Sequence, residues 1–134
     1  MKVLFARDVL EQAIYSESQS RDFEVLLNFC QDGIIEGYAC TYSLLLMVEE
    51  LDRESMKQVI NILDCLLKLI DVTPHEVRMA LNKADFEQAI NLSVAKRRRL
   101  DCIVTKDKNG FNKSTIKVYD PASLRRELED GKTA

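Results

Sequence analysis

The chain has 134 residues, 46% hydrophobic and 31% charged, with only 4 Gly and 2 Pro, which excludes a disordered tail, a collagen-like repeat and a Gly/Ser linker. Its 19 Lys and Arg against 22 Asp and Glu leave a net charge of −3, so nucleic acid has no global electrostatic footprint to find. The length predicts one domain over residues 1–130 with a frayed tail at 131–134, long enough to bury roughly two-thirds of its unfolded surface.

Lys2-Val3-Leu4-Phe5 is β-prone and apolar, and reads as a buried strand. Val9, Leu10, Ala13 and Ile14 then fall at helical spacing. Ser20 is placed to cap the next helix, on which Phe23, Leu26, Leu27 and Cys30 share a face and which Gly33 closes as C′ residue. Tyr38 to Tyr42 reads as a second strand, with a helix from about Ser43 to Leu51 after it. Val59, Leu63, Leu66 and Ile70 recur at i, i+4, i+7, i+11 and predict a helix from about Glu54 to Ile70, leaving Asp71-Val72 for a very short strand. Thr73-Pro74-His75-Glu76 predicts a capping box with Pro at N1, and Asp85 caps a helix running to about Arg99. Asp101 to Thr105 is a compact strand, Lys106 to Thr115 a polar loop and Ile116 to Tyr119 the last strand. Asp120-Pro121 opens a terminal helix that frays by Gly131. Strands alternating with helices require crossovers. The predicted architecture is a three-layer α/β/α sandwich around a mostly parallel sheet of four or five strands.

Cys30, Cys40, Cys65 and Cys102 each stand in apolar company without a Cys-x-x-Cys pair, and are expected as buried, reduced thiols. His75 is the only histidine, which disfavours a zinc site and any His-dependent nucleophilic engine. No Gly-rich phosphate loop follows a strand. The N-terminal segment has no apolar signal core, and Leu44 to Val48 is too short to span a bilayer; the expected location is cytoplasmic, away from membranes.

Phe5-Ala6-Arg7-Asp8-Val9-Leu10, Glu36-Gly37-Tyr38, Asp85-Phe86-Glu87-Gln88-Ala89 and Ile103-Val104-Thr105-Lys106-Asp107-Lys108-Asn109-Gly110-Phe111 occur in that order, and together resemble the PIN domain. The resemblance covers nearly the whole chain. It implies the fold of the metal-dependent ribonucleases found among bacterial toxin–antitoxin toxins. It also implies a site of four carboxylates around Mg²⁺ or Mn²⁺, which activate water and clamp a phosphate. The positions that match those acids hold Ala6, Leu46, Gln88 and Gly110, with a slip of one or two residues able to bring Glu49 to the second. None carries a carboxylate. The expectation is a PIN-like domain that has lost its metal and its nuclease activity, and that binds RNA, an antitoxin-like protein or a second copy of itself as a homodimer.

The alternative is an active Mg- or Mn-dependent ribonuclease built on displaced acids, Asp8, Asp85 and Asp107 with Glu49 nearby. The bland reading makes Asp8 and Asp85 helix caps, Asp107 a loop acid and Glu49-Glu50 a solvent-facing helix edge. Arg7 and Lys106 flank the strand ends and are candidate phosphate contacts, as is the basic run Lys96, Arg97, Arg98 and Arg99, whose bland role is to complement a helix dipole. The homodimer is expected to use helices 9–16, 20–30 and 54–70.

Overall fold

The computed structural model describes residues 1–14, 17–111 and 114–133. Five strands, β1 (Lys2–Phe5), β2 (Glu36–Cys40), β3 (Leu67–Ile70), β4 (Cys102–Val104) and β5 (Lys117–Tyr119), form one sheet in the order β3-β2-β1-β4-β5. Every pairing is parallel, as the alternating elements require. Val3 pairs with Gly37 on one side and with Cys102 on the other, so β1 is the central strand and strand order reverses between β1 and β4. The helices are α1 (Arg7–Leu10), α2 (Glu17–Gln31), α3 (Thr41–Glu50), α4 (Arg53–Leu66), α5 (Pro74–Ala80), α6 (Phe86–Arg97) and α7 (Pro121–Thr133), with 3₁₀ turns at Glu11–Ile14 and Lys108–Phe111.

Alternation along β1 builds two cores. Val3 and Phe5 face one layer, where Leu10, Phe23, Leu26, Val59, Leu63 and Leu124 are buried. Leu4 faces the other, with Ile90 and Val94 of α6, Ala80 of α5, and Ile103. Helix layers on both faces of a parallel sheet give the expected sandwich. Gly37 is required by close approach: a Cβ there would lie 2.3 Å from the Leu67 side chain and 2.9 Å from the Cys30 sulfur.

The predicted helix over 54–70 ends at Leu66, and its last turn is instead strand β3. The apolar run Leu66-Leu67-Lys68-Leu69-Ile70 fits either period, and pairing with Gly37 to Cys40 of β2 decides for the strand. Ser20 lies inside α2, so it is not a cap. Thr73 precedes α5 but makes no side-chain cap; its hydroxyl donates to the Glu76 carboxylate. Asp85, Asp120 and Gly33 do act as predicted: Gln88 N donates to Asp85 at 3.1 Å, Ser123 N to Asp120 at 2.7 Å, and Gly33 takes φ 78°. α7 continues past Gly131 to Thr133.

Cys40 and Cys102 are buried and Cys30 is half-buried, whereas Cys65 is exposed on α4, contrary to expectation. Burial pushes the Cys30 thiol up to about 11 and the Cys102 thiol to about 12. The folded protein keeps protons that the unfolded chain loses near 9.0, so stability falls as pH rises from there toward 12. A thiol reagent at pH 8 is expected to titrate Cys65 rapidly, half-buried Cys30 slowly, and Cys40 and Cys102 only on unfolding.

α6 ends in a Schellman turn, with Leu100 N donating to Ala95 O at 2.9 Å and Arg99 N to Lys96 O at 3.2 Å. Arg99 is the left-handed residue there, at φ 55°. Arg99→Gly relieves that conformation and is expected to raise stability by about 1 kcal/mol in urea denaturation.

α2 and α4, on which self-association was expected, turn Phe23, Leu26, Val59 and Leu63 into the core. Leu45 and Val48 on α3, and Met79 and Leu81 at the end of α5, are among the large apolar side chains left exposed. Among the described residues, no helix is long and apolar enough to cross a membrane.

Candidate functional site

In an open parallel sheet the cleft lies at the carboxyl ends of the strands where strand order reverses, here between β1 and β4. Ala6 leaves β1 still in register, donating its N–H to Val104 O at 2.9 Å, and its carbonyl starts α1 by accepting from Val9 and Leu10. Asp8 then reaches across the reversal. Its Oδ2 accepts from the Thr105 hydroxyl and from Lys106 N, both at 2.9 Å. Thr105, fully buried, accepts in turn from Asp107 N at 3.2 Å, and the Asp107 carboxylate accepts from Asn109 N at 3.1 Å. These bonds stitch the two strand ends together.

The charged centre of the cleft is Arg7. Its Nε and Nη2 donate to the two carboxylate oxygens of Glu87 at 2.7 and 3.0 Å, a forked pair. Its Nη1 reaches Glu11 at 3.1 Å and Glu50 at 2.7 Å. Four elements therefore converge on one guanidinium: α1, the 3₁₀ turn after it, the end of α3 and the first turn of α6. The hydrogen bond to Glu87 leads in raising the Arg7 pKa further above its ordinary value. Burial holds the Glu11 carboxyl above its ordinary range, although Arg7 pulls it the other way, and the neighbouring Glu50 adds to the rise.

Around this knot lie the positions singled out from sequence. Leu46 is half-buried one turn before Glu50, on the same face of α3. Gln88 follows Glu87, and its Oε1 is buried without a partner. Gly110 lies in the 3₁₀ turn at Lys108–Phe111. Asp85 is an exposed cap, Asp107 an exposed loop acid, and Glu49 points to solvent beside the Glu50 that does reach Arg7. Sequence reasoning missed Glu11, Glu50, Glu87 and Thr105. The i,i+4 spacing of Arg7 and Glu11 was one available signal; the convergence of Glu50 and Glu87 on Arg7 is a tertiary fact.

The basic run lies at the C-terminal end of α6, which starts beside Arg7 and returns the chain to the amino end of β4. Arg97 is committed there, its Nε 2.5 Å from the buried Glu76 carboxylate and its Nη2 2.6 Å from Asp71 O.

The sequence profile of the PIN domain family matches residues 2–109. The chain belongs to the PIN domain family. Among solved structures it is similar to VapBC2 from Rickettsia felis bound to a promoter DNA fragment, at 13% identity and TM-score 0.62, over 90% of this chain and 98% of that one. FitAcB from Neisseria gonorrhoeae matches at 12% identity and TM-score 0.60, over 90% and 98%. PAE2754 from Pyrobaculum aerophilum matches at 14% identity and TM-score 0.58, over 97% and 99%. Comparison with curated protein sequences finds no match.

The positions matched from sequence to the family's metal-binding acids carry no carboxylate. Ala6 and Gly110 offer no ligand oxygen in their side chains, Leu46 none, and Gln88 only a neutral amide. The three carboxylates that do converge are already bonded to a guanidinium. Among the described residues, no group of three or more His, Cys, Asp or Glu is placed to hold a metal ion.

Proposed function

We propose that this PIN domain works by binding a protein partner and does not cut RNA. The observation that carries the reading is the Arg7 knot: a fixed cation held by Glu11, Glu50 and Glu87, beside acid positions that hold no acid. A metal site needs carboxylates with free oxygens, and a cation already among them competes with the ion by charge repulsion. Of the displaced acids of the alternative, Asp85 and Asp107 accept from backbone N–H groups and Asp8 accepts through Oδ2 only, its Oδ1 buried without a partner, and the three stand in different settings.

RNA is the weaker choice of partner. Three carboxylates around one guanidinium leave two surplus negative charges at the cleft, which repel phosphate. Arg7 and Arg97 are spent on carboxylates. Membership of the PIN family, whose fold the resemblance ties to toxin–antitoxin toxins, supports a protein partner of antitoxin type. A homodimer belongs to the proposal only through α3 and α5, where apolar side chains stay exposed.

The test is incubation of end-labelled single-stranded RNA with the protein and millimolar Mn²⁺. No cleavage above a buffer control is expected. Cleavage abolished in the variant Asp8→Ala or Asp107→Ala would establish the displaced site instead.

A further inference from the structure

A groove of about 580 Å³ runs along the outer side of α6. One wall is a single stripe of that helix, Asp85, Gln88, Ala89, Leu92, Ser93 and Lys96, at spacings of three and four. From the cap to Lys96 the stripe spans roughly 16 Å, three helical turns. The opposite walls are Met79 of α5 with Lys83 after it, and Phe111 of the 3₁₀ turn with Ser114 after it. The floor is thus apolar. Met79 is 56% exposed.

The charges say what covers it. Lys83 and Lys96 stand at the groove's two ends, exposed, and among the described residues neither has a carboxylate partner. The acid beside Lys83, Asp85, is occupied as the cap of α6. The missing occupant therefore has apolar side chains on one face and negative charge at both ends.

We infer that this groove is the docking site for an acidic amphipathic helix of a partner protein, about three turns long, whose apolar face covers Leu92, Met79 and Phe111 and whose carboxylates pair with Lys83 and Lys96. The inference rests on the reading of the domain as a binding module and supplies the surface and the partner's chemistry. Binding uses neither metal nor RNA. Failure of the groove would therefore leave the absence of cleavage standing, while cleavage would leave the groove intact.

The experiment is fluorescence anisotropy with a labelled amphipathic helix of about fourteen residues, leucines on one face and glutamates flanking them. The expected Kd is on the order of tens of micromolar. The double variant Lys83→Glu, Lys96→Glu, at exposed positions that do not disturb the fold, is expected to weaken it at least tenfold, as is exchange of the probe's glutamates for lysines. A second variant, Met79→Glu, at an exposed position of the groove, is expected to abolish binding while circular dichroism stays unchanged. The inference is overturned by no binding at millimolar probe, by equal binding of the lysine-bearing probe, or by a dimer in sedimentation that both charge reversals disrupt, since a second copy would then be the occupant.

Discussion

Arg97→Ala is expected to lower the stability of the domain by about 3–5 kcal/mol, the cost of leaving a buried charge without its counter-ion. Glu76 is 1% exposed, and its carboxylate is held by Arg97 Nε at 2.5 Å and by the Thr73 hydroxyl. The same guanidinium donates to Asp71 O at 2.6 Å, so one side chain ties α6 both to the start of α5 and to the segment after β3. Removing it strands the carboxylate and frees the α5 end of the crossover together. For a domain of this length the loss corresponds to a fall in Tm of roughly 10–20 °C. Arg97→Ala combined with Glu76→Gln is expected to recover part of it, because the amide buries no charge. Thermal unfolding followed by circular dichroism reads both. A single variant as stable as the wild type would show that the pair contributes nothing.

Arg7→Ala is the second large change, and its mark is in the pH dependence. Without the guanidinium, Glu11, Glu50 and Glu87 face one another, and two of them, Glu11 at 16% and Glu87 at 23% side-chain exposure, are largely out of water. The expected loss at pH 7 is about 2–4 kcal/mol, from broken charge-assisted bonds and carboxylate repulsion. Glu11 is already above its ordinary 4.5 with Arg7 in place, and loses the one influence that lowers it. Its folded pKa then lies still higher than its unfolded one, so the folded variant holds protons that the unfolded chain has released. Stability of the variant therefore falls as pH rises through the window above 4.5, and the deficit against wild type shrinks as pH drops toward it. Arg7→Lys restores one charge but not the fork to Glu87, and is expected to recover only part of the loss. Urea denaturation at pH 4.5 and 7 decides it: a deficit that does not change with pH would mean that Arg7 acts by packing alone.

How much of this was legible follows from the reach of the interactions. β1 was readable because Lys2 to Phe5 is both apolar and β-prone, and α6 because Asp85 caps it through a bond to Gln88, three residues away. β3 was not, because Leu67 to Ile70 continues the apolar stripe of α4 and only its pairing with β2 breaks the helix. At the site, the placing of Arg7 and Lys106 near the strand ends was legible from the order of strands and helices; that Asp8 bonds Thr105 and Lys106 was not. What Arg7 does there was not legible. Its partners are 4, 43 and 80 residues away, and a cation among acids looks the same in sequence as a cation awaiting phosphate. Arg97 is the same case, read as one of four surface cations until Glu76 is seen beneath it.

The central claim is that the cleft keeps a cation of its own and takes no metal. Calorimetric titration of the wild-type protein with Mn²⁺ tests it most directly. The account predicts no saturable heat up to millimolar Mn²⁺. One-to-one binding at micromolar Mn²⁺ that disappears in Asp8→Ala would contradict it.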